Sequence, residues 1–98
     1  MQVLITYTLK PDQVDDQLRL VREYLEEYRQ LRPDGVREAV YQRDDKVSVI
    51  HLVDTGDAGP EVFAGFPAFQ RARAVLDERC ATPPELTPLH EIDSYGFR

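Results

Sequence analysis

One pattern occurs twice in this chain and leaves room for little else: a half-apolar strand, an amphipathic helix, then a second strand. Where the two strands of such a unit lie parallel in one sheet, the crossover between them is right-handed in nearly all folds, so both helices land on the same side. A hairpin joining the two units then gives an α+β fold of ferredoxin-like type, βαββαβ, with a four-stranded antiparallel sheet and two helices on one face. The 98 residues fit one such domain, residues 1–98, and no second one.

The first strand reads from Val3 to Leu9, with Val3, Ile5, Tyr7 and Leu9 on one face and Leu4, Thr6 and Thr8 on the other. Lys10-Pro11 ends it. Asp12 is the expected N-cap of the first helix, with Asp15 and Asp16 in its first turn, where the helix dipole favours negative charge. Val14, Leu18, Val21, Leu25 and Tyr28 step by four and three along one helical face, broadened by Leu20, Tyr24 and Leu31. Pro33-Asp34-Gly35 stops the helix.

Val36 to Arg43 and Lys46 to Asp54 read as a hairpin closed by Asp44-Asp45. A two-residue loop pairs Gln42 with Val47, Tyr41 with Ser48, Val40 with Val49, Ala39 with Ile50 and Glu38 with His51. Asp54 to Pro60 is loop, followed by a short helical turn at Glu61 to Ala64. Pro67 opens a second helix with Phe69, Ala72, Leu76 and Cys80 on one face, and Thr82-Pro83-Pro84 forbids its continuation. The last strand is expected around Leu86 to Tyr95, with Gly96-Phe97-Arg98 as a short tail.

In that register the helix side of the sheet takes Ala39, Tyr41, Ile50 and Leu52 together with Val3, Ile5 and Tyr7. The open side keeps Val40, Val49 and Val53 among Glu38, Gln42, His51, Thr6 and Thr8. Three valines on one bare face call for a cover, and a domain this short buries only about 60–65% of its unfolded surface. The expected partner is a second copy of the chain, a homodimer packed through the sheet face.

Composition narrows the partners further. The net charge of −6 repels nucleic acid and anionic membrane surfaces alike. No stretch approaches the ~20 apolar residues of a membrane span, and Met1 to Ile5 enters a strand without a basic leader. A cytoplasmic location is expected. The single Cys80 has no disulfide partner and reads as a buried structural thiol.

Competing uses of this fold fail on their residues. The third strand, Lys46 to Leu52, carries no aromatic residue on which RNA bases would stack. Asp12, Asp15 and Asp16 occupy the helix start where an anion cradle would sit. Two distant histidines and one cysteine make no metal-binding spacing.

The stretch from Asp54 to Tyr95 combines a strand ending in acid, a loop with glycine and proline, Phe66-Pro67-Ala68-Phe69-Gln70 opening a helix, and Pro83-Pro84-Glu85 before the final strand. With Lys10-Pro11 ahead of a long helix, the chain resembles the dimeric α/β-barrel proteins, and among them the antibiotic-biosynthesis-monooxygenase-like group. The resemblance implies two sheets closed into a barrel and a small apolar or aromatic molecule held between sheet and helices. It further implies that some relatives oxidise polyketide-type aromatics without a cofactor while others degrade haem. This chain has no tryptophan and no asparagine, and its second helix offers Phe69, Gln70, Arg71 and Arg73 where haem-degrading relatives place a histidine. No cofactor is therefore expected.

His51 is the leading catalytic candidate, because imidazole moves protons near neutral pH, and Glu38 would orient it. Thr6, Tyr7, Thr8, Tyr24, Tyr41, Phe63, Phe66 and Phe69 are the candidates for lining a ligand site where helices meet sheet. His90, Arg71 and Arg73 read as solvated. Two functions of different class follow. One is a dimeric protein that binds a small apolar or aromatic molecule. The other is a cofactor-independent monooxygenase or isomerase with His51 as proton shuttle and a tyrosine hydroxyl on the substrate oxygen.

Overall fold

In the computed structural model, which describes residues 1–97, the first strand (β1, Gln2–Leu9) is central. It pairs antiparallel with Ser48–Asp54 (β3) on one side and with Cys80–Leu89 (β4) on the other, and Arg37–Gln42 (β2) flanks β3. The strand order β2-β3-β1-β4 is that of a ferredoxin-like sheet. Two helices, α1 (Val14–Leu31) and α2 (Pro67–Arg79), pack on each other and cover one face.

Helix α1, about 27 Å long, is entered through a 3-10 turn at Pro11–Gln13, so its N-cap is Gln13 rather than Asp12. Pro11 begins the turn early, because its fixed φ suits a first helical position. Arg32 ends the helix in the left-handed conformation (φ 48°), its N–H donating to the Tyr28 carbonyl, immediately before Pro33. The buried stripe is Val14, Gln17, Val21 and Tyr24. That stripe also steps by three and four, rotated by one position from the one that hydropathy favours.

The hairpin loop is five residues long, not two. Lys46 takes the left-handed backbone (φ 68°), and the Asp45 carboxylate accepts the Val47 and Ser48 N–H groups at 3.0 and 2.8 Å and the Ser48 hydroxyl at 2.6 Å. Aspartate thus organises the turn through its side chain rather than by adopting positive φ itself. The register moves by two residues: Glu38 pairs with Val53, Val40 with His51 and Gln42 with Val49. A shift of two preserves sidedness, so Glu38 and His51 still share a face.

That face is the covered one: on β2 and β3 this reverses the expected assignment, while Val3, Ile5 and Tyr7 of β1 lie under the helices as expected. Val3 pairs with Val53, Ile5 with His51 and Tyr7 with Val49. Val49 and Val53 are 1% and 4% exposed, and Val40 packs against the helical core. Ala39, Tyr41, Ile50 and Leu52 belong to the open side, with Leu4, Thr6 and Thr8. The valine patch expected to recruit a second chain is instead core. Alternate positions of β3 are apolar on both sides, so hydropathy alone cannot choose; the polar His51 is buried because hydrogen-bonding groups meet it there.

Strand β4 runs from Cys80 to Leu89, starting and ending earlier than expected, and Cys80 opens it rather than closing α2. Pro83, Pro84 and Pro88 all lie within it. An edge strand tolerates them, since it need not donate hydrogen bonds on its outer side, and the β1–β4 ladder shifts register between Thr6 and Leu9. At one end of the sheet, Gly35 (φ 74°) and Gly56 (φ 62°) let two loops touch: a Cβ on Gly56 would stand 3.2 Å from the Gly35 Cα. The short helical turn expected after the β3 loop is present as a 3-10 segment, Pro60–Gly65.

Candidate functional site

Under the helices, the middle of the sheet carries four polar side chains in mutual contact. His51 projects from β3 between Tyr7 of β1 and Glu38 of β2. The Tyr7 hydroxyl lies 2.7 Å from His51 Nε2, and Glu38 Oε2 lies 2.9 Å from Nδ1. Glu38 reaches His51 diagonally, one step removed from its direct partner Val53, as neighbours two residues apart across a ladder can. From above, Tyr24 of α1 donates its hydroxyl proton to the same Glu38 oxygen at 2.6 Å. Tyr7, Tyr24 and His51 are 4%, 3% and 6% exposed, and the Glu38 side chain is 2% exposed.

One proton arrangement satisfies every member. Two donors converging on Glu38 Oε2 suit an ionised carboxylate, which can only accept. His51 then donates from Nδ1 to Glu38, and Nε2 accepts the Tyr7 proton. The 3.1 Å approach of the Tyr24 oxygen to Nδ1 places both donors around a single acceptor. Burial raises the Tyr24 phenol far above its ordinary range, and the adjacent Glu38 charge and hydrogen bond push it the same way. Tyr7 is raised likewise, first by burial, then by Cys80 and Glu38. Both tyrosines therefore remain protonated donors under ordinary conditions.

This cluster forms part of the wall of a cavity of about 490 Å³ between sheet and helices, within the size range of small-molecule sites. Val3, Ile5 and Val53 extend the sheet wall; Val21, Ala72 and Leu76 face them from the helices, and Phe63 and Phe69 add stacked rings 4.7 Å apart. Pro84 and Leu86 of β4 line the outer side, where Leu86 is 60% exposed. Gln17 also lines the cavity but is already committed: its amide donates to the Ala72 carbonyl and its oxygen accepts from Arg79, tying α1 to α2.

Of the residues singled out from sequence, His51, Glu38, Tyr7, Tyr24, Phe63 and Phe69 line this cavity. Thr6, Thr8 and Tyr41 do not, because strand alternation points them to the opposite side of the sheet, where Thr8 meets Ser48 and Tyr41 is 54% exposed. Phe66 is also outside the lining, packed against Tyr28 and Phe63 in the core. Gln17 and Thr55, each 1% exposed, are cavity residues that sequence reading misses. The three-and-four spacing of Val14, Gln17, Val21 and Tyr24 holds the signal for Gln17; no local pattern marks Thr55. Among the described residues, no three His, Cys, Asp or Glu side chains converge as a metal-binding group, and no helix is long and apolar enough to cross a membrane.

No family model and no curated protein matches the chain. Solved structures do. A putative antibiotic biosynthesis monooxygenase from Bacteriodes thetaiotaomicron superposes with a TM-score of 0.83 at 16% identity, covering 100% of this chain and 93% of that one. A second putative antibiotic biosynthesis monooxygenase, from Nitrosomonas europaea, gives 0.78 at 13% identity over 97% and 92% of the two chains. SnoaB, a cofactor-independent oxygenase from Streptomyces nogalater, gives 0.64 at 13% identity over 92% of each. The chain has the ferredoxin-like fold of these antibiotic-biosynthesis-monooxygenase-like structures.

Proposed function

We propose that this chain, with its monooxygenase-like fold, works as a homodimer that binds a small, neutral apolar or aromatic molecule carrying a hydroxyl or carbonyl group. The observation that carries the reading is the apolar cavity with one polar wall, in which the Tyr7–His51–Glu38–Tyr24 network is the concentrated hydrogen-bonding feature. Apolar surroundings favour a flat hydrocarbon body. The charge within the network is the Glu38 carboxylate, while Glu61 and Arg73, which also line the cavity, are exposed, so a neutral polar group is accepted at the network and an anionic one repelled there. Dimerisation is supported by the open sheet face, where Leu4, Ala39, Ile50, Leu52 and Tyr41 form an apolar centre.

Calorimetric titration with a panel of hydroxylated two- and three-ring aromatics, each paired with its carboxylate analogue, tests the ligand class. The neutral members bind and the carboxylates do not, and Tyr7→Phe weakens the neutral ones about tenfold, the worth of one hydrogen bond. Failure of every neutral member to bind the folded wild-type protein sinks the reading.

A second reading is an enzyme, favoured by the hydrogen-bonded order of the same network. Glu38 holds Nδ1–H, which leaves Nε2 to accept the Tyr7 proton as Tyr7 takes one from an acidic O–H or C–H of the substrate. The imidazolium so formed faces the Glu38 carboxylate. An isomerase would return that proton elsewhere on the substrate; in an oxygenase the electron-rich anion would itself reduce molecular oxygen, one oxygen atom entering the substrate and the other leaving as water with the protons removed from it. Oxygen uptake with hydroquinones, comparing wild type, His51→Ala and Tyr7→Phe, separates the cases. Equal background rates in all three folded proteins would remove the oxygenase reading for that panel.

A further inference from the structure

The α1 wall of the cavity is polar at two places and apolar between them. Gln17 and Tyr24 are both buried and stand about two turns apart on α1, so their side chains leave the helix in the same direction, separated by about 10 Å along its axis. Val21 lies between them, Ala72 and Leu76 of α2 line the same stretch, and Ile5 and Tyr7 form the sheet side. Tyr24 belongs to the His51 network, whereas Gln17 bonds elsewhere: its Nε2 donates to the Ala72 carbonyl and its Oε1 accepts from the Arg79 guanidinium, each at 3.2 Å. These two bonds orient the amide without exhausting it. A primary amide has two N–H donors and two oxygen lone pairs, so one of each remains. The Arg79 charge at the oxygen polarises the amide and strengthens the remaining N–H as a donor.

We infer that Gln17 is a second polar subsite of this cavity and selects, among the molecules proposed above, those with an oxygen function at each end; the inference rests on that binding reading. One end meets Tyr7 and His51, and the other meets the remaining Gln17 N–H through a hydroxyl or carbonyl oxygen. An amide at a position 1% exposed costs free energy unless its groups are bonded, and an apolar side chain would pack α1 on α2 without that cost. The bonds to Ala72 and Arg79 use half of its capacity, and an oxygen arriving in the cavity takes up a further N–H. A molecule with one oxygen, held at the network, leaves that N–H facing hydrocarbon and gains less. Val21, Ala72, Leu76 and Ile5 hold the apolar body between the two ends. The spacing of the oxygens, and not their number, therefore decides affinity. Gln17 sets specificity in this arrangement and takes no part in proton transfer.

Calorimetric titration of the full chain with fused two- and three-ring aromatics tests this. Each body is taken as the monohydroxy parent, as the diol with hydroxyls at opposite ends and as the diol with both at one end. For at least one ring size, the wild type binds the opposite-ended diol about tenfold tighter than either other form, the worth of one hydrogen bond. Gln17→Met, close in length but without the amide, brings that diol to the parent's affinity and leaves the parent's own affinity unchanged. In NMR spectra of the wild type, the Gln17 side-chain amide protons move downfield with the opposite-ended diol and not with the parent, a readout that needs no variant to fold. Equal affinity of the two diols at both ring sizes overturns the subsite, as does an advantage that survives in folded Gln17→Met, or amide protons that stay in place. A variant that weakens all three forms equally gives Gln17 a structural role alone and overturns it too. Failure of every form to bind the wild type overturns the ligand reading and the subsite together, whereas binding of the parent without a preference between the diols overturns the subsite only.

Discussion

The two faces of the sheet differ in a way that inverts simple hydropathy. On β3, the helices cover Val49, His51 and Val53, while Ile50 and Leu52 face the open side. A histidine is buried and a leucine on the same strand is 36% exposed, each against its apparent polarity. The covered side supplies Tyr7, Glu38 and Tyr24, which satisfy the imidazole at both nitrogens. The open side supplies only more apolar surface, which a partner can cover. Burial of a polar group is thus decided by the neighbours available to it, and exposure of an apolar one by what else can hide it.

The largest effect on this contrast comes from breaking the buried network. His51→Ala leaves the Glu38 carboxylate desolvated with Tyr24 as its remaining donor, and stability falls by about 3–5 kcal/mol in urea unfolding. A loss under about 1 kcal/mol would mean that the carboxylate reaches solvent. Next, truncation on opposite faces of the sheet separates core from interface. Leu9→Ala, at a position 1% exposed, costs about 3 kcal/mol at any protein concentration, whereas Leu52→Ala costs under about 1 kcal/mol in dilute protein. Equal losses in dilute samples would erase the distinction between the faces.

Tyr24→Phe is a finer probe. It removes one donor to a charged acceptor and should cost about 1.5–3 kcal/mol, while leaving the Tyr7–His51 bond in place. Ligand binding measured in that variant then separates the network's contribution to stability from its contribution to the cavity.

The smallest effects are in pH dependence, and the two faces have opposite limbs. On the open side, Asp54 is held down to about 2 by the Gly56 N–H and the Arg37 guanidinium. Its contribution is present above the ordinary carboxylate range near ~4 and disappears as pH falls toward its folded value; Asp54→Asn flattens that acid limb. On the covered side, the Tyr7 and Tyr24 phenols are raised by burial. Their contribution is complete below ~10, the unfolded tyrosine value, and is lost as alkaline pH drives their ionisation. Absorbance at a phenolate band should therefore rise together with loss of ellipticity. Ionisation of all tyrosines well before unfolding would contradict the sealed network.

Much of this is legible in the sequence. The repeated strand–helix–strand order and the apolar stripes set the topology, because right-handed crossovers leave few alternatives. Glu38 and His51 are neighbours despite a hairpin register two residues away from the simplest one, since a shift of two keeps side chains on the same face. Tyr7, Tyr24, Phe63 and Phe69 reach one cavity as their periodicity allows. Tyr41 does not, and Gln17 does, because an inverted face on a strand or a single-residue rotation of a helix is nearly invisible where both sides carry apolar residues; Thr6 and Thr8 lie on the open side of β1, as its alternation indicates.

By itself the sequence determined the order of elements, the crossover hand and the parity that joins Glu38 to His51, because these follow from local periodicity and chain chirality. Only the tertiary structure decided which side of β2 and β3 lies under the helices, how three prolines sit in an edge strand, and that four polar groups close on one another in the core. Those outcomes depend on the hydrogen-bond partners and covering surface that distant segments bring, and no local pattern of hydropathy contains that information.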